Sequence, residues 1–143
     1  MQETNSVDAT VKHTFKINGA FYKEKCFPSL NVMLAEAERH PQAYNRMKRQ
    51  YELIAVNSIR RDLRGYKAKG TVIPHYTFCE PNKGKRRDYD NISACARKII
   101  NDALVRTGTI VDDNPSYLEF GTNTFIYEDK PYIEVRLEEV ADG

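Results

Sequence analysis

Asp88 and Asp90 stand either side of Tyr89, and Asp112 and Asp113 adjoin each other further on, so these two pairs put four carboxylates within 26 positions. On an extended segment alternate side chains point the same way, which aims Asp88 and Asp90 together as two oxygen ligands for one hard cation. A divalent metal suits such a pair. The run Lys83-Gly84-Lys85-Arg86-Arg87 abuts it, and basic groups beside a cation site are what a phosphate backbone requires. Taken alone, Asp88 is more often a helix N-cap or the ion partner of Arg86 and Arg87. The second acid pair, Asn91 and the basic run together favour the metal.

The elements that must position these groups can be read from the spacing of apolar residues. Ile92, Ala96, Ile99, Ile100, Ala103 and Leu104 recur at helical intervals and predict an amphipathic helix over 89–106. Asp90, Arg97, Lys98 and Asn101 occupy its other side. From Asp90 to Lys98 the axis advances about 12 Å, but a helical lysine leans towards the N-terminus, leaving room for a metal-held phosphate between the two. Lys98 read blandly is a solvated helix lysine. Gly108 should end the helix, a short strand over 109–111 should follow, and the turn at Asn114-Pro115 should expose Asp112 and Asp113.

This stretch resembles the active-site region of the RusA-type Holliday-junction resolvases. Their signature is an Arg-Asp-x-Asp-Asn run opening a helix, a lysine on that helix, and an Asp-Asp pair after a glycine-containing turn. Arg87-Asp88-Tyr89-Asp90-Asn91 is similar to the first part and Asp112-Asp113 to the last, and Phe27-Pro28-Ser29-Leu30-Asn31 is similar to a less specific Pro-Ser-x-Asn element near the family's N-terminus. One departure stands out. Many members carry the lysine one turn after the second aspartate, where this chain has Ala94, and its own lysine arrives a turn later as Lys98. The resemblance implies a homodimeric endonuclease that depends on magnesium, with manganese able to substitute, and acts in DNA recombination and repair. It would resolve four-way junctions by paired symmetric nicks that leave 5′-phosphate and 3′-hydroxyl ends. Asp88, Asp90 and Asp113 would be its metal-binding catalytic carboxylates and Lys98 its catalytic cation, with Asp112 and Asn91 as additional members of the site. Small resolvases of this type often belong to a phage or prophage, so the expected location is the cytoplasm of a bacterial host.

The remainder of the chain supports one domain. With 143 residues, 41% hydrophobic and 29% charged, it can build one core. Residues 1–10 read as a flexible tail and 11–140 as the endonuclease-like domain, with no signal peptide and no apolar run long enough for a membrane span. Cys26, Cys79 and Cys95 form no C-x-x-C pair, which suits a reducing compartment. His13, His40 and His75 are scattered and complete no zinc site. An EF-hand loop starting at Asp88 fails because Ser93 and Ile99 fall where its glycine and bidentate glutamate belong.

Alternation over 11–17 predicts a strand turning at Asn18-Gly19, with Phe21 and Tyr22 starting a return strand. A helix over 30–39 with Ser29 as N-cap should break at His40-Pro41, and a longer amphipathic helix should run from about 44 to 63. Residues 39–69 carry nine basic and two acidic side chains, net +7, whereas 112–143 carry nine acidic and two basic, net −7, a division hidden within the overall +2. Such asymmetry fits a nucleic-acid binder with a metal site as well as it fits solvated surfaces. Lys67 and Lys69, in a basic loop over 65–70 expected to be mobile, join Lys83, Lys85, Arg86 and Arg87 as candidate DNA contacts. Tyr66, Tyr76 and Tyr89 are candidates for stacking on bases or for local packing. A strand over 71–79 interrupted at Pro74 should lie at an edge or bulge, and runs over 117–127 and 132–140 should form an antiparallel hairpin about Glu128-Asp129-Lys130-Pro131. The expected class is α+β, a mixed sheet with helices on one face. Two other functions stay open: a branched-DNA-binding module with impaired cleavage, and a metal-dependent phosphotransfer or sugar-transfer enzyme, against which stands the lack of a glycine-rich phosphate loop.

Overall fold

A computed structural model of the chain describes residues 13–18 and 27–140. The expected tail, the strand start at Val11, the turn glycine Gly19, the return strand at Phe21 and Tyr22, and Cys26 lie outside them. Strand β1 is Thr14–Asn18. Helix α1, Leu30–Arg39, begins where the Ser29 hydroxyl accepts the Val32 N–H at 3.2 Å. His40 is extended (φ −165°), as a residue before proline prefers. Pro41 then opens α2, Pro41–Leu63. That start lies three residues ahead of the expected Tyr44, because proline fits the first helical position, where no N–H is needed. The buried face of α2 is built on Met47, Tyr51, Ala55 and Ile59. Its basic residues Arg46, Arg49, Arg60 and Arg61 stay exposed.

Strand β2 spans Val72–Pro81 and helix α3 spans Tyr89–Arg106. Strand β3, Asn123–Glu128, returns parallel to β2, the pairing a helical crossover permits. Strand β4, Tyr132–Glu139, lies antiparallel to β2 on its other side and carries β1 antiparallel beyond it, giving the order β1-β4-β2-β3. Alternation buries Phe15 and Ile17, Val72, Tyr76 and Phe78, and Ile133, Val135 and Leu137 in one core with the inner faces of the three helices. A mixed sheet with helices on one face is the α+β arrangement expected. No helix among the described residues is long and apolar enough to cross a membrane.

Three expectations about strands are corrected. The segment over 109–111 forms no strand, although Thr109 and Ile110 are buried. Ile110 N–H donates to Leu104 O and Thr109 O accepts from Ala68 N–H, so the segment wraps the helix end and pairs with the loop before β2. The run over 117–127 is strand only from Asn123, and β3 and β4 form no hairpin, since β2 lies between them. A turn signal fixes reversal of direction, which holds here, but not which strand becomes the neighbour. Pro74 sits within an unbroken β2, opposite Leu137. The N–H groups of Val72 and Tyr76 donate to Tyr117 O and Thr122 O, so alternation turns the Pro74 nitrogen towards the same side, where β3 has not yet begun. The proline is therefore at a local edge.

Candidate functional site

Helix α3 starts from a backbone bond, Ile92 N–H to Asp88 O at 3.1 Å, and the Asp88 carboxylate makes no capping bond. Asp88 itself is extended (φ −67°, ψ 139°) while Tyr89 and Asp90 are already helical. The alternate-residue argument for Asp88 and Asp90 therefore does not apply, since the helix begins between them, and what remains of it is their shared place at the helix start. Both acids remain exposed at the helix start. Asp90 also lies in the first turn, where the helix dipole favours negative charge.

The basic run is divided by its packing. Arg87 Nε and Nη2 donate to the two Glu80 carboxylate oxygens at 2.7 Å each, and Nη1 donates to Phe27 O at 2.8 Å. Glu80 is buried at the end of β2, so this fork ties the loop before α3 to the sheet and to the segment before α1. That gives Arg87, expected as a DNA contact, a positioning role within the chain. Arg86 lies 4.0 Å over the Tyr127 ring, and Tyr89, 54% exposed, stacks on Phe125 at 4.2 Å. Desolvation, then the neighbouring Tyr89, pushes the Tyr127 phenol up from its ordinary value. Lys83 and Lys85 are exposed. Tyr66 and Tyr76 do not serve as free stacking platforms. Tyr66 donates to Glu139 at 2.7 Å and stacks on His13, and Tyr76 is buried with its hydroxyl donating to Asn101 Oδ1 at 3.2 Å.

The second acid pair splits into two roles. Asp112 Oδ1 accepts the Asp113 N–H at 2.7 Å and Oδ2 accepts from Asn114 Nδ2 at 3.1 Å, so Asp112 organises the turn. Asp113 is exposed, and its carboxylate has no hydrogen bond or ion pair among the described residues. It lines a cleft of about 390 Å³ together with Ala94, Arg97, Lys98 and Asn101 of α3 and Phe120 of the loop opposite. Asp90 belongs to the same polar stripe of α3 but lies one turn, about 6 Å, beyond Ala94, and neither it nor Asp88 lines the cleft. Lys98 is exposed and only loosely held by Asp102 at 3.5 Å, which Lys48 also approaches at 3.5 Å. Asn91 is half-buried at the helix start. Lys67 and Lys69 project from a loop whose backbone is held by bonds from Lys69 and Gly70 N–H to Glu139 Oε2 and from Ala68 N–H to Thr109 O.

No family model and no curated protein matches the chain.

The resemblance to RusA-type resolvases thus rests on the quoted residues alone. Among the described residues no three acid, histidine or cysteine side chains lie close enough to hold an ion, so one chain does not gather Asp88, Asp90 and Asp113 about a point. The chemistry of the donors still suits magnesium, which is commonly held by one or two carboxylates with waters and substrate phosphate completing its shell. Sequence reasoning overlooked Glu80, which reads as an ordinary strand-end acid, and Phe120. The signal for Phe120 was the glycine after it. A Cβ on Gly121 would come within 2.1 Å of Pro74 O, so the loop is pressed onto β2.

Proposed function

We propose that this chain is a structure-selective endodeoxyribonuclease of the RusA type, cutting branched DNA inside a bacterial host cell. One observation carries the reading. Asp88, Asp90 and Asp113, the acids of the resemblance, are exposed without hydrogen bond or ion pair among the described residues, while Asp112, Asp102, Glu80 and Glu52 nearby are all engaged. Unpartnered carboxylates near in sequence to the exposed Lys83, Lys85 and Lys98 are available to meet a cation and a phosphodiester.

Asp88 and Asp90 would hold the magnesium ion, which when bound polarises the phosphate and activates water. Lys83, Lys85 and Arg86 would track the backbone of the arm entering at the helix start. Lys98 and Arg97 would offset charge on the phosphate along the cleft. Asp113 faces that cleft beside Lys98, and the reading requires it to approach the acid pair when DNA and cation are present. A two-fold dimer would place two such sites on the two opposing strands of a junction.

A second reading, branched-DNA binding without cleavage, is favoured by Ala94 at the family's lysine position and by the separation of the acids within one chain. Labelled four-way junction, fork and linear duplex incubated with magnesium or chelator, and again with Asp90→Asn, decide between them. Symmetric nicks confined to branched DNA and lost in the variant support the nuclease. Binding without nicks supports the second reading, and neither binding nor nicks removes both.

A further inference from the structure

The cleft between α3 and the loop over 113–121 has features that phosphate chemistry does not use. Phe120 is 84% exposed, yet the loop bearing it is fixed on both sides. Glu119 N–H donates to Val72 O, the Thr122 hydroxyl bonds His75 Nδ1 at 2.9 Å, and Gly121 lies against the Pro74 carbonyl. An exposed ring on a loop whose backbone is held this firmly can serve as a stacking platform. Arg97 lies over one face of the ring, 4.8 Å from its centroid, the other face stays open, and Leu118 extends the apolar wall. Across the cleft stands Asn101. Burial keeps the Tyr76 phenol protonated and donating to Asn101 Oδ1, so the amide's Nδ2 donors are the part left for a ligand. The cleft volume of about 390 Å³ falls within the range of small-ligand sites, roughly 300–1,000 Å³.

We propose that this cleft is a subsite for one unpaired nucleotide: its base stacks on Phe120, Asn101 Nδ2 donates to an acceptor on the base edge, and Lys98 meets its phosphate. The face of the ring opposite Arg97 suits any base face, and the free amide donors of Asn101 favour an edge carrying carbonyl oxygens. The subsite deepens the proposed function, on which it rests for DNA as the ligand. It adds that the protein takes hold of DNA where a base has left its pair.

Anisotropy with a labelled oligothymidylate and a matched abasic backbone, in chelator, tests this, with four-way junction binding measured in parallel. Wild-type protein should prefer the thymidylate by about tenfold, the scale of one stacked base. Phe120→Ala, which removes an exposed ring and leaves the core intact, should erase the preference, and Phe120→Trp should restore it. Asn101→Asp keeps an oxygen for Tyr76 but exchanges the donors for a negative charge that repels both oligonucleotides, and should weaken thymidylate binding the more. Junction binding with no thymidylate preference, or with a preference that Phe120→Ala leaves intact, overturns the subsite while the DNA reading stands. Equal weakening of both oligonucleotides by Phe120→Ala also overturns it. If no DNA binds, the DNA reading fails and thymidine monophosphate decides the subsite: NMR shifts at Ala94 and Leu118 that vanish in Phe120→Ala uphold it, and their absence overturns it.

Discussion

The two acid pairs were alike in sequence and differ in the folded chain. At the start of α3 both carboxylates are left free, because the loop before them is fixed by another pair, Arg87 and Glu80. At the turn after α3 one acid fixes the loop itself, and only Asp113 remains free. Free acids are separated from supporting groups in both places, by an ion pair to the buried Glu80 in the first and by the adjacent residue in the second. An acid is available for a ligand where something else carries the backbone.

The largest expected effect tests the support of the first pair. Arg87→Ala leaves the buried Glu80 carboxylate without its fork and should cost about 3 kcal/mol or more in urea denaturation; an unchanged midpoint would remove Arg87 from that role. Next come the acids. Asp90→Asn and Asp113→Asn should each slow junction nicking roughly a hundredfold, the scale of losing a group that stabilises transition-state charge. Asp112→Asn keeps an oxygen for the Asp113 N–H and should retain most of the rate. Were Asp112→Asn the more damaging, the division of labour at the turn would be reversed.

Magnesium sharpens the contrast further. At ten times its dissociation constant the ion should stabilise the chain by about 1.4 kcal/mol in thermal denaturation. Asp88→Asn and Asp90→Asn should abolish that gain and Asp113→Asn should largely spare it when DNA is absent. Equal dependence on all three acids would mean one joint site and end the comparison.

The smallest effect is on pH. The hydrogen bond from Tyr66 holds Glu139 below the ordinary glutamate range, aided by the Gly70 and Lys69 N–H groups and opposed by burial. Stability from a depressed carboxylate is complete above its unfolded value and drains as pH falls through its lower folded value. Glu139 anchors the loop that pairs with Thr109, so Glu139→Gln should flatten part of the acid limb of stability, to which Asp62 beside Arg61 also contributes. An identical acid limb in the variant would show that this anchor contributes nothing measurable to the turn region.

Local signals in the chain were sufficient for the helices. Ser29 and the period of Ile92, Ala96, Ile99 and Ala103 specify α1 and the buried face of α3, because caps and hydrophobic spacing act within a few residues, whereas Pro41, read as a break, is the first residue of α2. The polar stripe of Asp90, Arg97, Lys98 and Asn101 was legible for the same reason. The neighbours of β3 and β4 were not, since a turn reverses a strand without choosing its partner, and neither was the loss of the strand over 109–111, whose backbone groups find the helix end and a distant loop.

The same boundary runs through the site. Sequence alone determined which residues carry oxygen and charge, and that four acids, a lysine and a basic run lie close together along the chain. The tertiary structure decided which of them are free. Glu80 takes Arg87 and Asn114 helps take Asp112, while Asp113 and Phe120 line one cleft with Lys98 and Asn101 of α3. Residue type fixes what a group can bind, but only the packing of distant segments settles whether a neighbour has bound it first.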